Sequence, residues 1–86
     1  MKIILHRNFK KQYNKLRNGE QRRFRERINL FLKTPFHPLL NNHSLRGEYR
    51  SYRSINARGD LRVIYEEIDS SIAHFITINT HGNLYE

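Results

Sequence analysis

Apolar residues open the chain as a short run from Lys2 to Leu5, too brief for a helix and suited to a strand. Phe9, Tyr13 and Leu16 then fall at i, i+4 and i+7, the spacing of one helix face, with Asn8 as the expected N-cap and Gly19 as the expected end. A second helical pattern runs from Glu20 to Lys33: Phe24, Ile28, Phe31 and Leu32 take the buried side, while Arg22, Arg23, Arg25 and Arg27 mostly look outward. Pro35 closes it. Thr34 to Gly47 carries both prolines, Asn41, Asn42 and a glycine, which is the chemistry of an irregular loop inside a domain.

Beyond the loop the period changes to that of strands, expected over Glu48 to Asn56, Leu61 to Ile68 and Ser71 to Asn79, with Arg58-Gly59-Asp60 and Asp69-Ser70 as turns. Val63 and Tyr65 alternate with Ile64 and Glu66, and Ile72, His74, Ile76 and Ile78 alternate with Ala73, Phe75 and Thr77. One sheet face therefore buries apolar groups. The order strand, helix, helix, strand, strand, strand predicts an α+β fold in which the two N-terminal helices pack on one face of an antiparallel sheet.

At 86 residues there is room for one domain, 1–86, and one modest core, whose bulk comes from five Phe and five Tyr. Sixteen Lys and Arg against eight Asp and Glu leave a formal charge of +8, spread along the chain, which favours a polyanionic partner. The absence of cysteine excludes disulfides, thiolate nucleophiles and zinc–thiolate sites, and fits a reducing cytoplasm. No run approaches the roughly 18 apolar residues that a membrane span needs, and the opening segment is too short for a signal peptide.

The polar groups left after removing core and turn positions gather in the second half: His43, Arg46, Arg50, Arg53, Asn56, Asp60, Arg62, His81 and Tyr85. In the expected strand, Arg50, Tyr52, Ser54 and Asn56 share one side and Tyr49, Ser51, Arg53 and Ile55 the other; the sequence leaves open which side is uncovered. Cleavage of RNA by its own 2′-hydroxyl needs a base, cations for the charged phosphorane and an acid for the departing 5′-oxygen. Imidazole serves either proton role near neutral pH, and guanidinium matches phosphate oxygens with paired hydrogen bonds. His6, His37 and His74 read first as structural or surface groups, and Arg22 to Arg27 first as a solvated helix face. The histidines and carboxylates show no i, i+4 ligand pair, so no metal is expected, and no glycine-rich phosphate loop or nucleophile elbow is present.

The stretch His43-Ser44-Leu45-Arg46-Gly47, then Tyr49, Tyr52-Arg53, Asp60-Leu61-Arg62-Val63-Ile64-Tyr65 and finally Thr80-His81-Gly82-Asn83-Leu84-Tyr85 resembles the RelE/ParE toxin superfamily, and within it the YafQ branch. The resemblance implies a RelE-like β-α-α-β-β-β fold and a type II toxin that cuts mRNA in the ribosomal decoding site, leaving a 2′,3′-cyclic phosphate and a 5′-hydroxyl. It also implies a cognate antitoxin as partner, contacts to 16S rRNA, a cytoplasmic setting and no cofactor or metal. Carried over by position, His43 becomes the candidate general base, His81 the general acid, Asp60 an orienting group, Tyr85 the aromatic on which a base stacks, and Arg62 the phosphate-stabilising arginine of the related YoeB branch. Arg46, Arg50, Arg53 and Asn56 are the expected phosphate contacts.

Two positions depart from that pattern. Asn56 stands where YafQ-like toxins usually have a further histidine, and Leu61 where they have an aromatic, so the acid–base load falls on His43 and His81. The alternatives are a ParE-like poison of DNA gyrase, against which the His81 motif speaks, and a catalytically weakened module of the same fold that binds DNA or protein.

Overall fold

The computed structural model describes residues 1–49 and 51–80; Arg50, His81 and Tyr85 lie outside the described residues. The first strand, β1 (Lys2–Leu5), leads into α1 (Arg7–Lys15) and α2 (Asn18–Lys33), and these are followed by β2 (His43–Ser44), β3 (Tyr52–Asn56), β4 (Leu61–Asp69) and β5 (Ile72–Thr80). The sheet order is β1-β5-β4-β3-β2. Every pairing is antiparallel except that of β1, which joins β5 in parallel and sets Ile3 beside Ala73 and Leu5 beside Phe75.

Both helix starts differ from the sequence expectation. His6, not Asn8, caps α1: its Nδ1 accepts the Asn8 N–H at 2.9 Å, so Asn8 already lies in the first turn. Gly19 does not end α1 but sits in the first turn of α2, because the chain turns extended earlier, at Leu16 and Arg17. Glu20 accepts the Arg17 N–H at 3.1 Å, and Gln21 Nε2 donates to the Tyr13 carbonyl at 2.8 Å, so side chains of α2 satisfy backbone groups on both sides of the junction.

The inward stripe of α2 is Phe24, Ile28 and Phe31, with Leu30 also packed on the core; Leu32 is 40% exposed, contrary to expectation. The next residue after Phe31 is rotated by about 100° on the helix, which carries Leu32 off the stripe. Phe31 meets Tyr65 and Phe75 edge-on, and Phe9, Phe24 and Phe75 pack with centroids 5.5 to 6.2 Å apart. Around these rings lie Leu40, Ile55, Ala57, Leu61, Val63, Ala73 and Ile78, all buried.

The loop and the strand after it are more structured, and more broken, than their composition suggests. Within the expected loop, Pro38–Leu40 forms a 3-10 turn capped by His37, and His43–Ser44 pairs with β3 as an edge strand. The expected long strand from Glu48 is instead a 3-10 turn over Gly47–Tyr49 and a strand that starts only at Tyr52.

The simple alternation of β5 also fails. Ala73 and Phe75 are buried, but so is Ile78, because Tyr65 pairs with Phe75 and Ile64 with Thr77, leaving Ile76 as an extra residue. Gln12 of α1 closes the edge of this bulge: its Oε1 accepts the Ile78 N–H at 3.1 Å and the Thr77 hydroxyl.

The β4–β5 turn is held by Asp69, whose Oδ1 accepts both the N–H and the hydroxyl of Ser71, at 2.7 and 2.8 Å. The Ser71 backbone bond and then its side-chain bond favour the carboxylate and hold the Asp69 pKa below its ordinary value of 3.8. A depressed folded-state value contributes stability that is present above the unfolded value and lost as pH falls through the folded one. Acid weakening of this turn is therefore expected only below pH 3.8, and Asp69→Ala should remove that part of the pH dependence, as read from urea midpoints across the acid range. Phe75→Ala should cost about 3–5 kcal/mol in equilibrium denaturation, since it empties the centre of the ring cluster.

Candidate functional site

Cross-strand partners share a sheet face, and the pairings sort the polar residues into rows. Ile55 pairs with Val63 under the helices, so Tyr52, Ser54 and Asn56 belong to the face opposite the helices, the open face, where Ser54 itself is nonetheless buried. One row there is Tyr52, Glu66 and His74; the next sets His43 opposite Ser54, with Ile64 beyond it; the third is Asn56, Arg62 and Asn79. The site is thus a set of positions brought together by register from segments remote in sequence.

His43 stands on the two-residue edge strand and is exposed. Its Nδ1 lies 2.7 Å from the Asn41 carbonyl oxygen. A carbonyl only accepts, so Nδ1 carries the proton in this bond, and in the neutral ring the lone pair then lies on Nε2. This is the protonation pattern a general base requires.

Arg62 lies two strands away and one row along, a Cα separation of roughly 12 Å from strand spacing and rise. Its Nη1 donates to the carbonyls of Gly59 and Leu61 at 2.9 and 3.2 Å, which holds the guanidinium against the β3–β4 turn. In that turn Arg58 and Gly59 both take positive φ, 71° and 59°, and Asp60 is exposed beside them. Asn56, the cross-strand partner of Arg62, has a buried Oδ1 with no hydrogen-bond partner among the described residues. A buried acceptor left bare is unfavourable. Arg46 follows β2 and is exposed.

Arg53 lies elsewhere. It pairs with Tyr65 on the helix side of the sheet, where its Nε donates to Asn42 Oδ1 at 2.7 Å and its guanidinium lies 5.1 Å from the centre of the Phe36 ring. Asn42 in turn donates to the Pro35 carbonyl at 2.9 Å and to the Tyr65 hydroxyl at 2.8 Å. Burial raises the Tyr65 pKa above the ordinary 10.0, so the phenol stays neutral. Residue chemistry alone marked Asn42 only as a loop residue; its partners are Pro35 at the start of the same loop and Arg53 and Tyr65 on β3 and β4.

The other histidines have visible duties. His6 and His37 each use Nδ1 to accept a backbone N–H, from Asn8 and from Leu39, and so cap the turns that follow them. His74 is half-buried, with its ring centre 5.6 Å from that of His6 and Glu66 across the strand pair. Among the described residues no three His, Asp or Glu side chains are grouped to hold a metal ion, and no helix is long and apolar enough to cross a membrane. On α2, Arg22, Arg23 and Arg25 are exposed and Arg27 is half-buried; Arg25 donates to the Tyr13 hydroxyl, and Glu26 pairs with Arg58.

The family described as "Bacterial toxin of type II toxin-antitoxin system, YafQ" matches the chain over residues 1–86. The protein belongs to the YafQ toxin family. Solved structures share the fold: YafQ from E. coli strain BL21(DE3) matches with a TM-score of 0.79 at 17% identity, over 98% of this chain and 97% of that one. A YoeB/ParE toxin from Agrobacterium tumefaciens matches at 0.76 and 20%, over 94% and 99%. A chain of the archaeal RelE-RelB complex from Pyrococcus horikoshii OT3 matches at 0.71 and 21%, over 94% of both chains. No curated protein sequence matches the chain. The α+β fold with two helices on a mostly antiparallel five-stranded sheet is therefore that of RelE-like toxins.

Because His43 is exposed and its ring makes one hydrogen bond, His43→Ala should leave stability within about 0.5 kcal/mol of the parent in chemical denaturation, separating its chemistry from the fold.

Proposed function

We propose that this YafQ-family toxin is a metal-independent endoribonuclease that cuts mRNA on the ribosome. The observation that carries the reading is the His43 imidazole on the open face, its Nδ1 tied to the Asn41 carbonyl and its Nε2 left free. In this reading Nε2 takes the proton of a ribose 2′-hydroxyl as the oxygen attacks the adjacent phosphorus. The bond from phosphorus to the 5′-oxygen breaks, giving a 2′,3′-cyclic phosphate, and His81 returns a proton to the leaving oxygen. Arg62 offsets the charge that grows on the phosphorane, with Arg46 and Arg50 on the flanking phosphates. Asp60 orients the turn beside Arg62, and Tyr85 supplies a stacking surface for a base.

The charge of +8 supports a polyanionic substrate, and the face opposite the helices carries Arg62 and His43 toward it. Arg53 enters this reading only indirectly, since its guanidinium is engaged with Asn42 and Phe36 on the other side of the sheet. Asn56 contributes an acceptor and no titratable group. A cognate antitoxin is the natural protein partner: one similar structure is an E. coli DinJ-YafQ toxin-antitoxin complex and another a RelE-RelB complex. An acidic or amphipathic segment that orders on binding would suit so basic a chain.

The test is cleavage of a defined mRNA in a purified translation system. His43→Ala and His81→Ala should each slow cleavage by roughly 10²- to 10⁴-fold, with products ending in cyclic phosphate; full activity in either variant would remove the assigned roles. Binding to RNA should weaken with salt, with a log–log slope of about −0.7 per neutralised phosphate. A flat response in filter binding or anisotropy would eliminate the electrostatic part of the reading.

A further inference from the structure

Asn42 spends both of its side-chain donors and one of its two acceptor positions on anchoring the chain just before His43. Its Nδ2 donates to the Pro35 carbonyl and the Tyr65 hydroxyl, and its Oδ1 accepts from Arg53 Nε. The three partners lie at the start of the loop, in the core of β4 and on β3, so one side chain ties both ends of the loop to the sheet. Asn41, the residue before it, takes a left-handed conformation with φ 46°, and its N–H donates to the Pro38 carbonyl at 3.1 Å. The carbonyl that receives the His43 Nδ1–H belongs to the peptide unit linking Asn41 to Asn42. Both ends of that peptide are therefore fixed, one by the 3-10 turn and the other by the Asn42 side chain.

We propose that Asn42 is a positioning residue that sets the tautomer and ring orientation of His43 by holding the Asn41 carbonyl in place. The proposal rests on the reading of His43 as the base, and it assigns Arg53 and Tyr65 a share of the same task as partners of Asn42. Without the anchor, Asn41, whose side chain tolerates the left-handed conformation but does not require it, is free to move and to turn its carbonyl away. The imidazole then loses the acceptor that keeps the proton on Nδ1, and the fraction of rings with a free Nε2 falls.

Long-range proton–nitrogen NMR on histidine-labelled protein reads the tautomer directly. In the parent protein His43 should be in the Nδ1–H form, while His6 and His37, whose Nδ1 atoms accept backbone N–H groups, should be in the Nε2–H form and serve as internal reporters of an intact fold. In Asn42→Ala the His43 signals should move toward Nε2–H with those two unchanged. Ribosomal cleavage should lose roughly tenfold to a hundredfold in kcat, the scale expected for a misplaced catalytic group, with KM little altered. If His43 keeps its tautomer while the reporters show a folded protein, the proposal is overturned.

Should Asn42→Ala not fold, Tyr65→Phe removes one Asn42 partner while keeping the ring, and a smaller shift of His43 in the same direction is expected; no shift overturns the proposal. A tautomer shift in a protein whose parent cuts no RNA would uphold the positioning role and remove the nuclease reading. Cleavage by the parent with no tautomer shift in the variant would do the reverse.

Discussion

The packing of both helices onto a single face of the sheet depends on one knot of rings. Phe75, in the middle of β5, has Phe9 of α1, Phe24 and Phe31 of α2, and Tyr65 of β4 around it at 5.6 to 6.2 Å. Five aromatic side chains supply a large share of the apolar area in a domain this small, and their edge-on contacts add to what burial alone provides. Because all five gather on the same side, the helices cover that side alone, and the opposite side of the sheet carries His43, Asn56, Arg62 and Glu66. The open face is the counterpart of where the rings went.

The helices were legible because their signal is local. Phe9 and Tyr13, then Phe24, Ile28 and Phe31, repeat at helical spacing within one segment, and both helices form where that spacing lies, although α1 stops at Lys15, short of Gly19. What escaped the sequence is which partner each group finds, in most cases a distant one. His6 outcompetes Asn8 as a cap through a bond that a residue list does not rank. The bulge at Ile76 keeps Ile78 buried after Phe75, and its edge is closed by Gln12, far away in the chain. The short strand at His43 exists only because β3 is there to pair with it, so no propensity within the loop announced it.

The same distinction applies to the site. The residue types needed for acid–base and phosphate chemistry could be named from the chain, and the pairing of Ile55 with Val63 resolved which side of β3 was open. That pairing also separated two arginines the sequence had grouped. Arg62 shares the row of Asn56 on the open face, whereas Arg53, three residues before Asn56, belongs to the helix side, where it meets Asn42 and Phe36. In a strand an odd spacing changes faces, so a count of basic residues overstates the charge available to any one surface.

Three histidines show how far identical side chains can be driven apart by the backbone beside them. At His6 and His37 a helical turn begins, and the ring is turned so that Nδ1 accepts a free N–H; in the neutral form the proton sits on Nε2, and the outward nitrogen is a donor. At His43 the chain is entering a strand after a left-handed residue, the nearest backbone group is a carbonyl, and the proton sits on Nδ1. Only the last arrangement presents an unprotonated nitrogen to whatever lies on the sheet. The peptide that precedes His43 therefore selects which of its nitrogens is left to accept a proton, and under the proposed role of His43 the contacts that fix that peptide, Asn42 first among them, bear on the chemistry as well as on the fold.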